Sequence, residues 1–178
     1  MLTRREFATL LAAACAPAQD KEKGELAQYY PTPLTVVEKM LEFGELKPGE
    51  KMFDLGSGDG RVVIMAAGKF GAQAVGVELD DDLVSRSRRA IQDKGLEKKV
   101  RIIHGDLLRQ DYSSADLITL YLLPDAYAKV RPLLEKQLKR GARVVAHDFP
   151  VTGWTEEKSQ HIDDDGEGRS HSLYLYRR

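Results

Sequence analysis

The stretch Phe53-Asp54-Leu55-Gly56-Ser57-Gly58-Asp59-Gly60-Arg61 combines residue types and a spacing that could hold a small charged ligand. A short apolar run precedes it and a helical pattern follows, so it predicts a tight loop joining a strand to a helix. Glycine has no Cβ and tolerates positive φ, which lets a ligand lie close to the backbone. The glycines fall as G-x-G-x-G rather than the G-x-G-x-x-G that seats a pyrophosphate on a helix N-terminus. Asp54 precedes them and Asp59 lies among them. Two carboxylates repel a pyrophosphate and suit a ligand carrying an ammonium and a sulfonium. Glu78, 22 residues after Gly56, closes the next predicted strand, where a carboxylate can accept both hydroxyls of a ribose. Gly105-Asp106-Leu107 follows the third predicted strand. There a carboxylate can accept from an adenine amine, and Leu107 offers backbone and apolar contact. The candidate cofactor-binding residues are therefore Asp54, Gly56, Ser57, Gly58, Asp59, Gly60, Glu78, Asp106 and Leu107.

These residues need a framework that brings three strand ends together. Thr35 to Phe43 places Val36, Val37, Met40 and Leu41 on one helical face, with Pro33 at its start and Gly44 at its end. Strands are expected at Lys51–Leu55, Ala74–Val77, Val100–His104, Asp116–Leu122 and Ala142–His147. Helices are expected at Arg61–Phe70, from the acids Asp80-Asp81-Asp82 to about Lys94, and at Asp125–Leu138 with a break or kink near Pro132. Two further strands, Lys158–Ile162 and His171–Tyr176, follow without a helix between them. Strands alternating with helices imply an α/β fold with a mostly parallel sheet of about seven strands and helices on both faces. The last two strands imply an antiparallel pair at one edge. The candidate ligand residues then share the C-terminal strand ends beside the switch point, where open α/β sheets bind ligands.

Composition narrows the field. Apolar residues make up 42% and charged residues 31% of 178, and the net charge is −1. No long basic run appears, so no nucleic-acid partner is expected. No apolar stretch approaches the ~20 residues of a membrane-spanning helix. One cysteine, Cys15, and four histidines without H-x-x-H or H-E-x-x-H spacing predict no metal site. Asp163-Asp164-Asp165-Gly166-Glu167-Gly168 fails as an EF-hand, because His161 and Ser172 stand where acids are needed; it reads as a solvated, mobile loop.

The first 18 residues carry Arg4-Arg5 followed by Phe7, an Ala-rich run and Ala16-Pro17-Ala18. Charged head, apolar middle and small-residue exit are the parts of a secretory signal, and the paired arginines resemble the twin-arginine type. Residues 19–25 read as a charged linker and 26–178 as one domain. The expected location is periplasmic, with a cytoplasmic protein as the alternative.

The D-x-G-x-G-x-G loop, the acid after the second strand and the Gly-Asp after the third resemble the motifs of the class I, seven-strand, S-adenosylmethionine-dependent methyltransferases. Further likeness covers nearly all of the chain after the linker. Tyr30-Pro31-Thr32-Pro33, Asp54 to Ile64, Arg143-Val144-Val145-Ala146-His147-Asp148-Phe149 and Trp154 resemble a bacterial branch similar to the ATP synthase c-subunit lysine methyltransferases. The resemblance implies a Rossmann-like methyltransferase fold, S-adenosyl-L-methionine as cofactor, and methyl transfer to a protein lysine or other amine. Tyr121-Leu122-Leu123-Pro124 occupies the position where base-amino methyltransferases carry Asn/Asp-Pro-Pro-Tyr, which argues against a nucleobase amine. Tyr30, Thr32, Tyr121 and Pro124 are the candidate catalytic residues, lining a pocket that strips water from the acceptor. A small-molecule methyltransferase, a nicotinamide-binding oxidoreductase and a non-catalytic cofactor-binding module are the alternatives.

Overall fold

The computed structural model describes residues 29–178. The signal-like segment, the linker and the expected start of the domain at residue 26 lie outside the described residues.

The elements run α1 (Leu34–Phe43), β1 (Lys51–Leu55), α2 (Arg61–Gly68), β2 (Gln73–Glu78), α3 (Asp81–Asp93), β3 (Val100–His104), a single 3-10 turn (Leu107–Arg109), β4 (Leu117–Leu120), α4 (Pro124–Gln137), β5 (Arg143–His147), β6 (Lys158–Ile162) and β7 (His171–Arg177). Seven strands form one sheet in the order β3-β2-β1-β4-β5-β7-β6. The first five are parallel, while β7 runs antiparallel to both β5 and β6. β1 lies between β2 and β4, as expected of the strand that feeds the glycine loop.

Side-chain alternation along the central strands supplies a core on each face. Met52 packs with α1, α2 and α3, through Val36, Met40, Val63, Ala66 and Val84. Its neighbour Phe53 packs on the opposite face with Ala126, Tyr127, Val130 and Leu134 of α4. Helices therefore cover both faces, and the strand interiors are almost wholly buried, as a covered parallel sheet requires.

The expected break in α4 does not occur: Pro132 lies inside the helix, which runs from Pro124 to Gln137. Pro132 and Ala128 are both solvent-exposed. The carbonyl of Ala128, which loses its partner to proline, can thus bond to water. The short turn after β3 has no counterpart among the expected elements. The Asp106 carboxylate caps it by accepting from Leu108 N–H at 2.8 Å.

Candidate active site

The glycine loop crosses from β1 to α2 over the C-terminal edge of the sheet. Its backbone is anchored first by β2, whose Val77 carbonyl accepts from Gly56 and Ser57 N–H. Gly58 (φ +54°) and Gly60 (φ +81°) take left-handed conformations that a side chain disfavours. A Cβ on Gly58 would lie 2.8 Å from the Tyr29 ring, and one on Gly60 2.9 Å from Ser87 of α3. Close approach and backbone conformation thus both demand glycine.

Three acids at or beside the glycine loop, Asp54, Asp59 and Glu78, have different surroundings. Asp59 is gripped by Arg61, whose Nε and Nη2 donate to its oxygens at 2.7–3.2 Å. Burial pushes the Asp59 carboxyl up, but Arg61 outweighs it and holds the group below its usual range. Arg61 also donates to the Thr32 carbonyl at 2.8 Å, tying the loop to the segment before α1. Glu78 accepts from Gly58 N–H at 2.7 Å, and from Leu79 and Asp80 N–H through its other oxygen. Asp54 is buried beneath the loop, and the Thr119 hydroxyl donates to it at 2.7 Å. Burial, with the charges of Glu78 and Asp59 nearby, raises its carboxyl to about 7 despite that hydrogen bond.

The donor set therefore has an imbalance. Asp59 has its cation in Arg61 and Glu78 has three backbone N–H groups, whereas among the described residues Asp54 has a neutral hydroxyl alone. A ligand bringing positive charge to this loop would complete the set, and a pyrophosphate would worsen it. The two acids of the motif are consequently not equivalent, which their spacing alone does not reveal.

Of the candidate catalytic residues, the structure brings Thr32 and Tyr121 together through a third group. The Thr32 hydroxyl lies 3.4 Å from His147 Nδ1. The Tyr121 ring packs on the His147 ring with centroids 4.1 Å apart. Burial, supported by the Asp148 charge, pushes the Tyr121 hydroxyl up to about 12, so it stays neutral at physiological pH. Tyr30 is exposed, with the Arg169 guanidinium 5.2 Å over its ring. Pro124 opens α4 and is exposed. Leu107 is buried, and its carbonyl accepts from the Tyr112 hydroxyl.

A polar cluster at the ends of β5 and β7 has no signature in the sequence. His147 Nε2 and His171 Nδ1 face each other at 2.9 Å, and both rings are buried. Asp148 Oδ2 lies 3.2 Å from His171 Nδ1. Asp165 Oδ2 lies 3.2 Å from His171 Nε2. Burial, reinforced by His171 and opposed by Asp148, pushes the His147 imidazole down to about 4, leaving it neutral. The reading of residues 163–168 as a solvated loop is corrected at Asp165, which is buried. Its Oδ1 accepts from Glu167 and Arg169 N–H.

The fold and this edge define a class I S-adenosylmethionine-dependent methyltransferase, and comparison with known proteins agrees. A sequence model of the ANTKMT methyltransferase domain matches residues 54–158, and the chain belongs to that family. It is 37% identical over 149 residues to a protein-lysine N-methyltransferase of Saccharolobus islandicus, covering 83% of this chain and 91% of that protein. It is 34% identical over 138 residues to the ATP synthase c-subunit lysine N-methyltransferase of Xenopus laevis, covering 78% of this chain and 59% of that protein. Among solved structures it resembles an RNA methyltransferase of Salinibacter ruber in complex with S-adenosyl-L-homocysteine. That match has a TM-score of 0.77 and 40% identity, covering 83% of this chain and 93% of the other.

Proposed function

We propose that this methyltransferase acts on the side-chain amine of a protein lysine. The observation that carries the reading is the coupling of two neighbouring strand ends. Asp54 on β1 accepts from Thr119 of β4. Two residues further on, Tyr121 begins the wall that continues through His147 to Thr32. A charged cofactor seat and an aromatic, hydroxyl-bearing wall thus share one sheet edge. The relatives from Saccharolobus and Xenopus carry lysine methyltransferase names, and the sequence lacks the Asn/Asp-Pro-Pro-Tyr of base-amino enzymes.

In this reading Asp54, Gly56, Ser57, Gly58, Asp59 and Gly60 seat the amino-acid end of S-adenosylmethionine, with Asp54 facing its ammonium. Glu78 takes the ribose hydroxyls, and Asp106 and Leu107 take the adenine. The cofactor supplies an activated methyl group on its sulfonium. The chain supplies orientation and exclusion of water. A lysine ammonium ordinarily loses its proton near pH ~10.4, and removal of its water shell lowers that value. Tyr30, Thr32, Tyr121 and Pro124 line the path on which this occurs. The neutral Tyr121 hydroxyl orients the amine and takes no proton from it.

The test is methyl transfer from radiolabelled S-adenosylmethionine into a cell lysate, followed by protease or RNase digestion. Label recovered as methyl-lysine is expected. Label removed by RNase, in line with the name of the Salinibacter relative, would overturn the lysine acceptor and leave the cofactor site intact. We also propose, from residues 1–18 alone, that the protein is exported through the twin-arginine route.

A further inference from the structure

We propose that His147, His171 and Asp148 bind one divalent transition-metal ion of the zinc class. Spacing along the chain conceals the site, because its ligands come from the end of β5 and the start of β7. These strands pair antiparallel, with His147 opposite Leu173, so the two histidines meet across 24 residues of chain.

The three donor atoms form a triangle of suitable size. His147 Nε2 to His171 Nδ1 is 2.9 Å, His171 Nδ1 to Asp148 Oδ2 is 3.2 Å, and His147 Nε2 to Asp148 Oδ2 is 3.5 Å. Zinc bonds of ~2.0–2.1 Å at tetrahedral angles place neighbouring ligand atoms ~3.3 Å apart. Among the described residues no further histidine, cysteine, aspartate or glutamate joins the three. Two imidazoles and one carboxylate are the protein ligand set of the open zinc class, whose fourth ligand is water.

The surroundings also fit. A metal-bound histidine characteristically directs its other ring nitrogen to a carboxylate or similar partner. His171 Nε2 is 3.2 Å from the buried Asp165 carboxylate, and His147 Nδ1 is 3.4 Å from the Thr32 hydroxyl. Asp148 takes φ +60°, unusual outside glycine, and Ser172 N–H holds its other oxygen at 3.0 Å. A cation at the centre would take one lone pair from each of the three converging atoms, and it would fix the His147 ring on which Tyr121 packs.

The experiment uses the untagged full chain, stripped with a chelator and titrated with zinc. One zinc per chain is expected, with a rise in Tm. In 15N spectra the signals of His147 Nε2 and His171 Nδ1 should move while their other ring nitrogens stay near place; this readout needs no variant. Asp148→Asn and His171→Gln should lose the uptake while still binding S-adenosylhomocysteine. Asp165→Asn should weaken it roughly 10–100-fold, the usual effect of losing an outer-shell partner. Absence of stoichiometric zinc in protein that binds S-adenosylhomocysteine overturns the site and leaves the methyltransferase reading standing. Equal uptake by Asp148→Asn and His171→Gln overturns it as well.

Discussion

Asp54→Asn in cofactor-free protein tests the charge imbalance beneath the glycine loop. Burial raises the Asp54 carboxyl from 3.8 to about 7. The folded protein therefore keeps a proton that the unfolded chain releases between those values. Stability from this group is complete below pH ~4, falls by about 1.4 kcal/mol per pH unit, and is lost once pH passes 7. The gap between the two values sets an upper bound of about 4 kcal/mol. Asparagine cannot ionise and keeps an oxygen for the Thr119 hydroxyl. At pH 5, about one unit above the unfolded value, the variant should be more stable by at most about 1.6 kcal/mol. At pH 8 it should be more stable by about 2–4 kcal/mol, or roughly 5–15 °C in Tm for a domain of this size. Urea unfolding of both proteins at both pH values measures the gap between them, in which every other titrating group cancels. A gap of the same size at pH 5 and pH 8 would refute the reasoning. The same linkage makes S-adenosylmethionine binding release a proton near pH 6 in the wild type and none in the variant.

Gly58→Val should abolish cofactor binding in titration calorimetry, because φ +54° and the Tyr29 ring at 2.8 Å leave the new side chain no room; unchanged affinity with the fold intact sinks the loop assignment. Glu78→Ala should weaken cofactor binding by roughly 1–3 kcal/mol, the scale for a lost charged partner. Tyr121→Phe keeps the ring against His147 and removes the hydroxyl, so kcat for the lysine acceptor should fall about tenfold with KM for the cofactor unchanged; a change in cofactor KM alone would move Tyr121 out of the acceptor wall. For the proposed export, Arg4→Lys/Arg5→Lys should trap the protein in the cytoplasm, seen by fractionation and N-terminal mass spectrometry. A cytoplasmic wild type that still begins at Met1 would overturn it.

The strand-to-helix grammar is legible because each transition carries its own chemistry. Gly56, Gly58 and Gly60 mark the turn after β1, and the acids at 80–82 mark the start of α3, where Asp80 caps Leu83 N–H. Apolar runs identify the strands of the central sheet, and acids or glycines at their ends identify the ligand edge. What stays hidden depends on contacts between segments far apart in the chain or on the side a residue faces. Asp59 reads as a second ligand for positive charge until Arg61 is seen to occupy it. His147 and His171 show no spacing pattern, since strand pairing and not helical periodicity brings them together. Pro132 reads as a break or kink, and the helix continues through it because its exposed side faces water, which sequence does not say.

The insertion of β7 between β5 and β6 has a consequence for how the chain is made. A ribosome releases residues 158–162 ahead of residues 171–177. Among the described residues β6 pairs with β7 and with no other strand. When it emerges, its backbone groups have water as their only partners. The sheet cannot grow outward in the order of synthesis, strand upon strand. Its far edge must stay open until β7 arrives and pairs along both sides. Until then β5 presents an unpaired, buried-type edge through Val144, Val145 and Ala146, which is the stretch most exposed to wrong partners during biogenesis. A chaperone or rapid capture of β7 is what such a topology asks of the cell.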